Sequence, residues 1–311
     1  MHSGAFMQCC YRPFTNSWIY TDKSLVESRG KTPDYFNDEN KVIAISGKGS
    51  RSGFSALMLR SVGTYDTLEK AQCFPLYLYS CDTNKADKGD LFEDSQTQLQ
   101  SHRRDALTDE GLLHFHNAYP GEQIIKEDLF YYVYGILHSP DYRERFADNL
   151  SKELPRIPAV KKAEDFWAFS QAGRALAELH VNYETVEPYP LTIEAKGTLT
   201  NADYRVEKMK FAEKSDKSTV IYNPRITLKD IPDAAWDYVV NGKAALDWVM
   251  ERQAVRTDKA SGIVNDANDW ANETMGNPKY PLELFQRVVT VSLETQKIVK
   301  ALPKLDIGTD E

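Results

Sequence analysis

The sequence predicts an α+β fold, with a β-containing N-terminal part (residues 1–120) followed by a mainly α-helical part (residues 121–311) that carries a small β insert. Three observations point there. The first third alternates short apolar runs with Gly- and Ser-rich turns. From Lys126 onward, apolar residues recur at helical spacing. Within that helical half, "YRVEKMKF" and "STVIYN" flank the charged turn "AEKSDK", which reads as a strand pair. A chain of 311 residues, 41% hydrophobic and 27% charged, has ample material for a globular core.

In order along the chain, "KVIAIS" (41–46) and "FSALMLR" (54–60) are apolar runs joined by the turn residues "GKGSRSG", which predicts a hairpin or strand–loop–strand. "FPLYLYS" (74–80) alternates in a similar way, and residues 84–111 turn polar, a loop leading into a helix start. "KEDLFYYVYGILH" (126–138) is apolar nearly all round, as a buried helix is. Ser139-Pro140-Asp141 then supplies an N-cap, a proline at the first helical position and an acid in the first turn of a helix reaching about Lys152. Further helices are expected over about 161–183, over "DAAWDYVV" and "KAALDWVMERQAV" on either side of Asn241-Gly242, and over about 281–302. The last places Leu284, Val288, Val291, Thr295, Ile298 and Leu302 on one stripe.

Several stretches imitate chemistry without completing it. His138, Ser139 and Asp141 fall together, but a nucleophilic serine needs a base aimed at it, and adjacent residues at a helix break do not meet that need. "SGKGSRSG" (46–53) follows a strand as phosphate-binding loops do, yet a P-loop requires GxxxxGK(S/T) running into a helix, and here a strand follows. "NPKY" (277–280) resembles the NPPY loop of amino-methyltransferases but has Lys279 for the second proline, and Asn277 is expected to cap the last helix. "PDYFNDENK" (33–41) and "TIEAK" (192–196) mimic halves of a Mg²⁺-dependent nuclease signature; Glu194 and Lys196 define the alternative reading, a metal-dependent nuclease domain. His114 and His116 would share a face if their stretch were a strand, with no third ligand at metal-site spacing.

The bulk numbers narrow the classes. No apolar run reaches about 18 residues, so no membrane span is expected. "MHSGAFMQCC" lacks the pattern of a secretory signal, and Cys9, Cys10, Cys73 and Cys81 fit neither a disulfide framework nor a zinc site, which predicts a cytoplasmic protein with reduced thiols. The net charge of −8 does not advertise a nucleic-acid binder, but local patches outweigh the sum. Residues 203–229 hold seven basic side chains against four acidic ones.

Long ordered stretches carry a family resemblance along nearly the whole chain. "YRPFTNSWIYTDKSL", "NKVIAISGKGSRSGFSALM", "EDLFYYVYGILHSPDYRERFADNLSKELPRIP", "DFWAFSQAGRALAELHVNYE" and "YVVNGKAALDWVMERQAVRTDKASGIVNDANDW" resemble the C-terminal portion of type ISP restriction–modification enzymes. In that family one bacterial polypeptide carries an Mrr-like nuclease, a RecA-type helicase motor, a coupling region, an N6-adenine methyltransferase and a final target recognition domain. The resemblance implies that this chain begins at the methyltransferase boundary and comprises the recognition region. It implies a reader of double-stranded DNA that partners the upstream methyltransferase and helicase domains of the same polypeptide, binds no cofactor itself, and leaves S-adenosylmethionine, ATP and Mg²⁺ to those domains.

The contact residues are inferred from side-chain chemistry, because phosphates are gripped by Lys, Arg and Ser while base edges are read by Arg, Lys, Asn and Gln. Three turns offer such groups: Lys48, Ser50 and Arg51; Lys208, Lys210, Lys214, Lys217 and Arg225; and Arg252, Arg256, Lys259 and Asn265. The alternative reading of each is a solvated face. No catalytic or metal-binding residue is expected.

Overall fold

A computed structural model of the chain describes residues 6–22, 25–26, 35–36, 40–81 and 101–308. The suggested acids Asp34 and Glu39, and most of the polar stretch after residue 81, lie outside the described residues.

The N-terminal strands β1 (Phe6–Arg12) and β2 (Thr15–Tyr20) form a hairpin, and β5 (Val62–Gly63) adds to β1 in parallel. Phe14 makes the hairpin turn at a left-handed φ of 55°, a conformation a bulky residue adopts only under constraint. Its ring supplies the constraint, being buried edge-on against Tyr183 and Tyr238.

The expected central hairpin is present as β3 (Val42–Ile45) and β4 (Ala56–Leu59), with β6 (Gln72–Pro75) on the other side of β3. All eight residues of β3 and β4 are buried, because the sheet separates two apolar cores. Val42, Ala44, Leu57 and Leu59 face one; Ile43, Ile45, Ala56 and Met58 face the other, as the period-two geometry of a strand requires. A second hairpin follows from β7 (Tyr77–Cys81) and β8 (Ser101–Asp105), the latter a strand in the region expected to be a loop.

One core is helical. It is filled by α1 (Asp109–Ala118), α2 (Lys126–His138), α3 (Pro140–Arg145), α4 (Ala147–Lys152) and α5 (Ala163–Val181). Helices α2 and α5 meet at Gly135 and Gly173, where an added Cβ on Gly173 would lie 1.8 Å from the Tyr131 carbonyl oxygen. Tyr132 stacks on Phe166 at 4.6 Å beside this crossing. The helix expected to run to Lys152 breaks into α3 and α4 at Phe146. His114 and His116 lie on α1, not a strand, so residues two apart point to different sides. Among the described residues no group of three or more His, Cys, Asp or Glu is placed to hold a metal.

The other core packs the β insert against the C-terminal helices. The insert is larger than two strands: β10 (Lys210–Glu213), β11 (Asp216–Ile221), β12 (Ile226–Lys229) and β9 (Thr192–Ala195) form one antiparallel sheet in that order. "DAAWDYVV" is not a helix. It is one 3₁₀ turn, Asp233–Trp236, and then β13 (Val239–Val240), which pairs with β14 (Lys243–Ala244). Asn241 and Gly242 both take positive φ (50° and 78°), as the two central residues of a tight type I′ hairpin do. Helix α6 (Ala245–Arg252) leads to the ribbon β15 (Val255–Thr257) and β16 (Val264–Asp266). The final helix α7 (Tyr280–Lys300) buries Leu284, Val288, Val291 and Thr295 of the expected stripe.

Candidate nucleic-acid interface

The Ser139 region is a joint. The Ser139 hydroxyl accepts a hydrogen bond from the Tyr142 amide at 3.3 Å, Asp141 accepts the Leu305 amide at 3.1 Å, and His138 donates Nδ1–H to the Tyr134 carbonyl at 2.9 Å. In "NPKY", Asn277 accepts from the Lys279 amide and donates to Glu283, which fixes the start of α7, although Lys279 itself is the N-cap. Tyr280 is buried with its hydroxyl on Glu184, so it cannot stack on an extruded base.

The nuclease alternative is not supported. Glu194 and Lys196 belong to an exposed edge, with Glu194 ion-paired to Lys229 of the adjacent strand at 3.0 Å. The Lys196 amide and carbonyl are held by Arg225, so this segment is stitched into the sheet rather than gathered around a metal.

The first expected turn has an acid at its centre. Glu69 accepts hydrogen bonds from the amides of Arg51 and Ser52 and from the hydroxyls of Ser50 and Ser52, and it pairs with Arg51 at 3.2 Å. Desolvation opposes its ionisation, but these donors prevail and hold its pKa at about 2. The Gly-rich turn therefore already cradles an anion of the protein's own. Lys48 and the Arg51 side chain are exposed, while Ser50 is committed inward. Replacing Glu69 with Ala should release the turn, with amide exchange at Arg51 and Ser52 accelerating several-fold; unchanged exchange would contradict the cradle.

In the second group Arg225 is a staple. Its guanidinium donates to Asp203 at 2.5 Å and to the carbonyls of Lys196 and Thr198 at 2.7 and 3.0 Å, closing the loop after β9. Lys217 lies over the Trp236 ring at 5.0 Å, while Lys208, Lys210 and Lys214 are exposed.

The third group converges. Arg252, Arg256 and Asn265 line one cleft of about 670 Å³ between the β1–β2 hairpin and the β15–β16 ribbon, and Lys259 sits exposed in the ribbon's turn. Glu251 pairs with both arginines, 3.0 Å from Arg252 and 3.5 Å from Arg256, and also with Lys243. Arg252 is packed near the rings of Tyr11 and Trp248. The segment before Lys208 is tied to the ribbon, since the Glu207 carbonyl accepts the Val255 amide and Arg205 pairs with Asp266 at 2.7 Å. Lys48, Ser50 and Arg51 do not line the cleft.

Sequence reasoning missed the aromatic wall. Trp18, 53% exposed, leans on Trp270 at 5.7 Å between centroids and donates to Thr274, joining β2 to the helical turn 270–274. The signal was a tryptophan in an alternating strand, "NSWIY", whose partner lies 252 positions away and is invisible to local spacing.

A cleft of arginines, amides and indoles edged by a β-ribbon offers the hydrogen-bonding and stacking groups that ligand recognition uses. The chain belongs to the Type ISP C-terminal specificity domain family, whose sequence profile matches residues 2–284. It is similar to the ATP-dependent Type ISP restriction-modification enzyme LlaBIII bound to DNA, with 33% identity and a TM-score of 0.82 over 98% of this chain and 19% of that one. A nuclease-deletion mutant of the Type ISP enzyme LlaGI with a DNA substrate mimic gives 34% identity and a TM-score of 0.79 over 99% of this chain and 26% of the other. A DrdV–DNA complex gives 32% identity and 0.79 over 97% and 29%. The chain thus spans less than a third of each of these solved proteins. No curated protein matches it with significance.

Proposed function

We propose that this chain reads a specific sequence in double-stranded DNA and positions that target for an adenine methyltransferase on the same polypeptide. The observation that carries the reading is the convergence of Arg252, Arg256 and Asn265 at one polar, aromatic-walled cleft in a chain of the specificity-domain family. The similarity to three solved enzymes in complex with DNA supports it. Exposed Lys48, Arg51, Lys208, Lys210, Lys214 and Lys259 would contact phosphates and set the register, a role that needs charge but no precise geometry. S-adenosylmethionine, ATP and Mg²⁺ would be bound by the other parts of such a polypeptide, working in the cytoplasm. No helix among the described residues is long and apolar enough to cross a membrane.

The test is selection of bound duplexes from a random library by the full-length polypeptide, at low and at physiological salt, without Mg²⁺. One asymmetric motif should persist at the higher salt, bound at least roughly a thousandfold more tightly than random duplex. Binding that vanishes with salt and enriches no sequence would overturn the proposal.

A further inference from the structure

The ribbon β15–β16 places two base-reading side chains in register. Arg256 and Asn265 are direct cross-strand partners, so their side chains rise from the same face of the ribbon. Both residues line the cleft, as Asp266 of the preceding pair does, whereas Thr257 and Val264 of the next pair do not. A two-stranded ribbon is narrow enough to enter the major groove. Resting on the DNA-reading proposal above, we infer that Arg256 and Asn265 form a reading pair that specifies a guanine and an adenine in adjacent base pairs.

The chemistry fixes the bases. A guanidinium donates two parallel hydrogen bonds to O6 and N7 of guanine, and a carboxamide matches N6 and N7 of adenine. The spacing fixes their adjacency. Directly opposed residues have Cβ atoms about 5 Å apart, and stacked base pairs are about 3.4 Å apart, so two side chains of this reach address neighbouring steps.

The surroundings favour base edges over backbone. Asp269 and Glu273 also line the cleft, and their carboxylates repel phosphate while leaving a base edge, with its mixed donors and acceptors, admissible. Arg256 is presented rather than loose: Glu251 holds one guanidinium nitrogen at 3.5 Å, and about half of the side chain remains exposed for a partner. The ribbon is anchored at its base, where the Val255 amide donates to Glu207 and Asp266 pairs with Arg205. Specific readout needs such rigid support.

The experiment repeats the library selection with the full-length polypeptide and its Arg256→Ala, Asn265→Ala and Arg256→Lys variants, and measures affinity for the wild-type motif. Arg256→Ala should lose the preference for guanine at one position and bind about 10- to 100-fold more weakly. Asn265→Ala should lose the preference for adenine at the adjacent position. Arg256→Lys should retain most affinity, since charge remains, but discriminate guanine less sharply because its ammonium lacks the planar fork. Both side chains are exposed, so the thermal midpoints of all variants should match wild type. If wild type selects a motif and the alanine variants select the same motif unrelaxed, or relax it at non-adjacent positions, the reading pair is wrong while the DNA-reading proposal stands. If wild type selects no motif, the DNA-reading proposal itself fails.

Discussion

Replacing Gly173 with alanine should destabilise the fold by about 3 kcal/mol, the upper end of what overpacking usually costs. The added Cβ would sit 1.8 Å from the Tyr131 carbonyl oxygen and 2.8 Å from the Gly135 amide nitrogen, both main-chain atoms that cannot rotate away. Gly135 is the reciprocal contact, since a Cβ there would lie 2.2 Å from the Phe169 carbonyl oxygen. Relief requires α2 and α5 to separate, and that separation would undo the contacts flanking the crossing. Ser170 donates to the Asp128 carbonyl at 2.8 Å. Arg174 pairs with Glu127 at 2.8 Å and lies 4.1 Å from the Tyr131 ring centre. Urea unfolding measures the loss, with Gly308→Ala, whose Cβ would meet nothing within 4 Å, as the control. A Gly173→Ala midpoint equal to wild type would refute the close crossing.

Stability should also fall steeply as the pH drops below about 6.5. Tyr134 accepts the Met58 amide at 2.8 Å, so its hydroxyl proton goes to His180 Nδ1 at 2.6 Å, and His180 then donates from Nε2 to Thr295 at 2.9 Å. His180 is thus held neutral, and desolvation followed by the charge of Arg143 lowers its pKa to about 3. Desolvation, Arg143 and His180 likewise depress His138 well below its ordinary value. Folded values lie below unfolded ones, so the unfolded chain binds protons that the native protein refuses. The stabilisation is complete above the unfolded pKa of 6.5 and is lost as pH falls toward the folded values. Each histidine contributes a slope of about 1.4 kcal/mol per pH unit, and together they would remove roughly 4 kcal/mol over one and a half units, a large share of an ordinary domain's stability. The depressed carboxylates, Glu69 among them, add their loss only below 4.5, which isolates the histidines in the upper window. Urea midpoints across that window, with His180→Gln halving the slope, provide the check; a flat profile would contradict two buried neutral imidazoles.

Where sequence was legible, a single local rule governed. The buried helix over 126–138, the Ser139 cap and the stripe of α7 each follow from periodicity or one capping hydroxyl. "DAAWDYVV" misled because its apolar spacing suits a helix, while the Asn241-Gly242 turn that decides for a hairpin lies beyond its end. β9 joins the insert's sheet only through β12, some thirty residues on in sequence. The candidate site divides the same way. The cationic turns were visible as composition, yet only folding distinguishes Arg225, satisfied by Asp203 and two carbonyls, from Arg256, which faces a cleft. Glu69, which occupies the Gly-rich turn, lies some twenty positions from it and carries no local mark.

The wall between the two cores has an informational consequence. In most strands polarity dictates alignment, because a one-residue slip would expose the apolar side. β3 is buried on both sides, so Val42 and Ala44 could trade places with Ile43 and Ile45 and still stay dry. Its alignment must come from its ends. Asn40 accepts the Lys41 and Tyr77 amides while donating to the Tyr35 and Tyr77 carbonyls, and at the other end the Ser46 hydroxyl bonds Gly53 and Ser55. Two short polar side chains thereby choose among pairings that hydrophobicity leaves nearly degenerate.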